Sequence, residues 1–150
     1  FHPIVIGTGG MSGDPKLRKE LGKLVAWQFA VTPFSADLPA AQKTGAAFEK
    51  KFQQPLTLNS ALGYFGTKVA IRALDSAKSF KPADIADALR KVKFGKDEMI
   101  TSSDYIEFDE NGRNKGRDTT ITQFQGDKLV TVWPPEKATA KPVLKNFNTP

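Results

Sequence analysis

Cysteine is absent from the 150 residues, so disulfides, thiolate nucleophiles and cysteine-based metal sites are excluded together. Histidine occurs once, as His2, and with no thiol or second imidazole beside it neither a metal centre nor a catalytic base has support. No apolar run approaches the ~18 residues that a membrane span needs, and no charged-then-apolar opening reads as a signal peptide. Because the chain opens on Phe1 rather than Met, any initiator or targeting segment is expected upstream. Also missing are the G-x-S-x-G elbow of serine hydrolases and the Gly-Lys-Ser/Thr ending of a P-loop. Repeats and low-complexity tracts are lacking too.

What is present has the balance of a globular protein rather than a disordered one: 39% hydrophobic and 25% charged residues, in a length that suits one ordinary domain. The net charge of +6 raises the question of a nucleic-acid partner. Its distribution argues against one. Lys16, Lys19, Lys23, Lys43, Lys50, Lys51, Lys68, Lys78 and Lys81 are scattered among acids, and the aromatics fall mainly at apolar-periodic positions rather than between the basic ones.

Along the chain, residues 3–6 read as a short strand, followed by Gly7-Thr8-Gly9-Gly10 and then Asp14-Pro15, an N-cap with proline at the first helical position. Leu17, Leu21 and Leu24 recur at helical spacing, so this helix is expected to pack one face on something apolar. Residues 26–32 read as a second strand stopped by Pro33. Three helices are predicted next. The first spans 40–52 with Ala41, Phe48 and Phe52; the second spans 58–77 with Leu62, Phe65, Val69 and Leu74; the third starts near Pro82 with Ile85, Leu89 and Val92. Small residues Ala61, Gly63, Gly66, Ala70 and Ala73 in the longest helix suggest neighbours on more than one side. In an α/β layer architecture each helix rests against a sheet, yet the predicted strands lie only near the two ends. The chain is therefore expected to be a fragment, its remaining sheet supplied by absent polypeptide.

The loop Gly7-Thr8-Gly9-Gly10-Met11-Ser12-Gly13 misses the dinucleotide fingerprint by one residue, since the third glycine falls at Gly13, and Phe34 and Ser35 stand where an acidic partner belongs. Two readings stay open for it. Glycines let a ligand approach the backbone and free N–H groups before a helix favour an anion; alternatively the glycines serve only to turn the chain. Asp109, Glu110 and Asn111 match a calcium loop in composition alone, and turn formation is the better account. Asp84 and Asp87 share the exposed face of a helix, Ser102-Ser103 sits in a polar loop, and Trp27, Tyr64 and Trp133 read as packing residues rather than ligand stackers.

Residues 106–135, IEFDENGRNKGRDTTITQFQGDKLVTVWPP, predict two successive strand pairs. Asn111-Gly112 suits a type I′ turn, Gly126-Asp127 separates strand-like runs at 119–124 and 129–133, and Pro134-Pro135 ends the pairing. This stretch, with Phe108, Asp109, Asn111 and Gly112, the run from Gln123 to Pro135 and the small-residue-plus-Tyr helix at 60–64, resembles the carboxy-terminal part of the branched-chain amino-acid-type solute-binding proteins of bacterial ABC importers.

The resemblance covers most of the chain and implies a type I periplasmic-binding-protein fold, two three-layer α/β/α lobes joined by hinge strands, of which this is the second half. It implies residues 1–28 in lobe 2, 32–118 in lobe 1, 122–150 back in lobe 2, and hinge crossings near 29–31 and 120–122. It implies a non-catalytic receptor in the periplasm, or lipid-anchored outside the cytoplasm, with a small-molecule ligand, a membrane ABC permease and the missing amino-terminal half as partners and no cofactor. Thr8, Gly9, Gly10 and Met11 are the expected ligand-binding residues. In the branched-chain receptors an acidic side chain at about the position of Gly9 faces the ligand's ammonium group. Gly9 carries no charge, which leaves room for organic or aromatic carboxylates, amides or larger solutes beside amino acids. A ligand-sensing regulatory domain of the same fold is the alternative.

Overall fold

The computed structural model describes residues 4–9 and 12–144. Strands from both ends of the chain meet in one four-stranded sheet, ordered β1-β2-β5-β6. β1 (Ile6–Thr8) runs parallel to β2 (Phe29–Thr32), and β5 (Thr120–Gln125) is antiparallel to both β2 and β6 (Lys128–Trp133). β1 begins later than residues 3–6, of which residue 3 lies outside the described residues, because pairing with β2 sets its register: Ile6 lies opposite Phe29 and Thr8 opposite Val31.

α1 (Pro15–Leu21) starts where the sequence places it, with the Asp14 side chain accepting from the Lys16 amide at 2.8 Å. It is shorter than the leucine spacing suggests. Gly22 at φ 53 ends it, and a 3-10 turn over Gly22–Val25 takes the chain out of helical phase. Leu24 is consequently 85% exposed and Leu21 42%, so the expected apolar face does not form as a unit.

Between β2 and β5 lie α2 (Pro39–Phe52), α3 (Leu58–Ser76), α4 (Pro82–Lys91) and a two-stranded ribbon, β3 (Lys93–Phe94) with β4 (Ile106–Glu107). These helices do not wait for an absent sheet to bury their first face. Leu38, Ala41, Ala61, Phe65, Ala73, Ala88 and Val92 close a shared core with Phe34, Leu56, Phe94, Met99, Ile100 and Ile106. The Thr57–Ser60 capping box fixes the start of α3. α3 buries Ala61, Phe65 and Ala73, whereas Leu62 and Leu74, expected inside, stand outward with Gly63, Gly66, Ala70 and Ile71. The helix is apolar around most of its circumference, so periodicity alone cannot choose its inner face.

The hairpin β5–β6 forms as the sequence predicts, with Gly126 at φ 61 and Asp127 without positive φ, the sign pattern of a type II′ turn. The preceding pair differs. β4 joins β3 rather than the residues after its own turn, which return only through the single bridge Phe108↔Asn114. Gly112 alone takes positive φ (74), so the turn is not type I′. Its geometry comes from Asp109, whose Oδ1 accepts from the amides of Asn111 (2.9 Å) and Arg113 (2.8 Å). That filled role is the one the composition suggested.

The sheet interior is unusually polar and fully satisfied. Thr120 Oγ1 donates to the Thr32 carbonyl at 2.8 Å, and Thr122 Oγ1 to that of Ala30 at 3.3 Å. Gln123, wholly buried, donates to the carbonyls of Trp27 and Val143 and accepts from the Val143 amide, which fastens residues 141–144 to β5. Among the described residues no buried side-chain polar atom lacks a partner.

Candidate functional site

A cavity of about 330 Å³ opens where four parts of the chain converge. Gly9, Gly13 and Pro15 come from the β1–α1 loop; Thr32, Phe34, Ser35, Ala36 and Asp37 from the exit of β2; Leu56, Thr57 and Leu58 from the approach to α3; Lys128, Leu129 and Val130 from β6. Sequence-distant segments meet here because β5 joins β2 to β6 in one sheet and the chain leaving β2 comes back to β6, where the Asp37 carboxylate accepts from the Thr131 amide.

Of the four expected ligand-binding residues, Gly9 lines the cavity and Thr8 does not. Thr8 closes β1 and its carbonyl accepts from Ser12 Oγ at 3.3 Å. Gly10 and Met11 lie outside the described residues. Gly9 adopts φ 88, a conformation that side-chain-bearing residues rarely take, and open space surrounds the place a Cβ would occupy. Gly13 is tighter: a Cβ there would stand 3.3 Å from Leu129 Cδ2, so the loop is closed onto β6 at this point.

Most of the polar groups around the cavity are already engaged. Thr32 Oγ1 donates to the Phe34 carbonyl (2.9 Å) and accepts from its amide (3.1 Å), and Thr57 Oγ1 caps α3. The one carboxylate, Asp37, accepts from Ser35 Oγ at 2.5 Å, the Thr131 amide at 2.7 Å, Thr131 Oγ1 at 2.8 Å and Thr139 Oγ1. Burial opposes its ionisation, but the hydrogen bonds from Ser35, Thr139 and Thr131 outweigh burial and hold its pKa below the usual value. Lys128 is exposed and forms no ion pair among the described residues. Among the described residues, the site thus offers apolar walls and the exposed Lys128 ammonium, with its acid, Asp37, already hydrogen-bonded.

Sequence reasoning missed Phe34, Ser35, Asp37, Thr57 and Lys128. Only Thr57 carried a local signal, the Thr-x-x-Ser spacing before an apolar helix. Trp133 and Tyr64, read as packing residues, are 48% and 44% exposed, and neither lines this cavity. His2 lies outside the described residues. No cluster of three or more metal-ligating side chains occurs among the described residues, and none of their helices is long and apolar enough to cross a membrane.

Comparison with known proteins gives the same architecture. The chain is 35% identical over 111 residues to Leu/Ile/Val-binding protein homolog 7 of Brucella melitensis biotype 1, a match that spans 71% of this chain and 26% of that protein. Its fold overlays a leucine-binding protein of Thermotoga maritima MSB8 with a TM-score of 0.70 at 23% identity, over 87% of this chain and 37% of that one. It also overlays a solute-binding protein of an ABC transporter from R. palustris, solved with benzoate, with a TM-score of 0.62 at 14% identity, over 87% and 34% of the two chains. These relatives are solute-binding proteins rather than enzymes, and this chain spans about a quarter to two-fifths of their length. The overlays show the type I periplasmic-binding-protein fold, and the family model for periplasmic binding proteins matches residues 3–128; the chain belongs to that family.

Proposed function

We propose that this chain is the ligand-facing second half of an extracytoplasmic receptor that captures a small solute by lobe closure and delivers it to a membrane ABC permease. The observation that carries the reading is the cavity itself. It lies where the β1–α1 loop and β6 face the exit of β2 and the start of α3, that is, between segments assigned to opposite lobes. Adjacent strands β2 and β5 take the chain out to the helical assembly and back, which is the geometry a hinge requires near 29–31 and 120–122.

Gly9, which lines the cavity, approaches the solute backbone-first; Thr8, Gly10 and Met11 are its neighbours in sequence and are proposed with it as ligand-binding residues. The solute is an amino acid or an organic or aromatic carboxylate. Apolar walls from Phe34, Leu56, Leu58, Leu129 and Val130 suit a hydrocarbon body, and Lys128 suits a carboxylate. Because Asp37 is saturated, a solute without an ammonium group fits the groups of this chain better than a zwitterion does. The outward face of α3, with Leu62, Gly63, Gly66, Ala70, Ile71 and Leu74, is covered by the amino-terminal half of the same receptor.

Calorimetric titration of the full-length protein with amino acids, aliphatic carboxylates and aromatic carboxylates tests this. Saturable binding within the panel supports it. Absence of binding to every class contradicts it.

A further inference from the structure

We propose that Asp37 is a positioning residue that, in the closed receptor, sets the separation of the two walls of the cavity, and through it the girth of the solute retained. This inference rests on the reading of the cavity as the solute site.

Its basis is a division of labour within one strand. Lys128, Leu129 and Val130 line the cavity from β6; Phe34, Ser35, Ala36 and Asp37 line it from the exit of β2. Thr131, the next residue of β6, lies opposite Thr122 of β5, and its amide and carbonyl are used on the far edge of the strand. The carbonyl accepts from the amides of Thr139 (2.8 Å) and Ala140 (3.1 Å). The amide and the hydroxyl both go to the Asp37 carboxylate, at 2.7 and 2.8 Å. One side chain therefore spans from the first wall to the second. Thr139 Oγ1 and Ser35 Oγ complete the carboxylate's capacity for about four hydrogen bonds, so it has no lone pair in reserve for a solute. The register shift in β5–β6 between Ile121 and Thr122 falls beside this staple, where the ladder itself holds β6 less firmly. Charge-assisted bonds of this number are stiff, and a cavity wall hung on them has a defined position.

The test uses the full-length protein with Asp37→Ala and, should that variant fold poorly, the isosteric Asp37→Asn. Crystal structures would be compared for the distance between Ala36 and Val130 across the cavity, and straight-chain monocarboxylates of increasing length and branching would be titrated by calorimetry. The wall separation is expected to grow by about 1 Å, and preference to move toward bulkier acids while affinity for the wild-type optimum falls by about tenfold. An unchanged separation overturns the inference whatever the titrations show. So does a widened cavity with unchanged size preference, and so does loss of affinity uniform across the series, which would mean that Asp37 touches the solute directly. Wild-type protein that binds no acid in the panel overturns instead the solute reading beneath it.

Discussion

The guanidinium carbon of Arg72 lies 3.8 Å from the centroid of the Phe94 ring while its nitrogens reach both carboxylate oxygens of Glu98 and the Lys93 carbonyl. One α3 side chain thereby ties the helix to the β3 ribbon through stacking, a fork of hydrogen bonds and charge. Replacing Arg72 with Met keeps much of the apolar stem and removes the rest. We expect a lower Tm by thermal melting, with a gap to the wild type that narrows in high salt, because both charged partners are solvent-accessible and only the ionic part is screened.

Acid should act through Asp37. Its folded-state pKa lies below the ordinary 3.8, so its contribution to stability is fully present above that value and is lost as pH falls through the folded-state pKa. In denaturant titrations Asp37→Asn should therefore be less stable than the wild type at pH 7. The difference should shrink once pH drops below about 3.8. A difference that grows with acidity would have the wrong sign for this assignment.

Gly116 is a position where space, rather than backbone conformation, demands glycine. A Cβ there would stand 2.0 Å from the Tyr105 carbonyl oxygen and 2.9 Å from its carbon, both backbone atoms that cannot swing away. Gly116→Ala should cost ~1–3 kcal/mol by overpacking, read as a lower denaturation midpoint.

Two helix glycines with open surroundings distinguish a bare surface from a covered one. A Cβ at Gly45 in α2 or Gly66 in α3 meets nothing within 4 Å in this chain. On an uncovered helix Gly→Ala stabilises by roughly 0.5–1 kcal/mol. In the full-length protein we expect that gain at Gly45 and a loss at Gly66, where the amino-terminal half would close over α3. Gains at both sites, measured by chemical denaturation, would leave that face uncovered.

Features set by nearby residues were legible in the sequence. Asp14-Pro15 began a helix and Gly126-Asp127 turned a hairpin because each acts through the backbone within a few positions. What failed depends on distant partners. Strands of two residues, Lys93–Phe94 and Ile106–Glu107, are too short to show alternation, and β4's choice of β3 over its own turn has no local mark. Leu24 kept helical phase on paper, but Gly22 ended the helix first. In the site, the glycine loop stood out because its spacing is unusual. Asp37 carried no local mark, since Thr131 and Thr139, which define its role, lie far along the chain.

Capture by closure changes the shape of the receptor, which small-angle scattering of the full-length protein can follow. On saturation with the solute selected by calorimetry, the radius of gyration should fall, because contacts made only in the closed state shift the population toward it. Saturable binding with an unchanged radius of gyration would mean that the solute is held without closure.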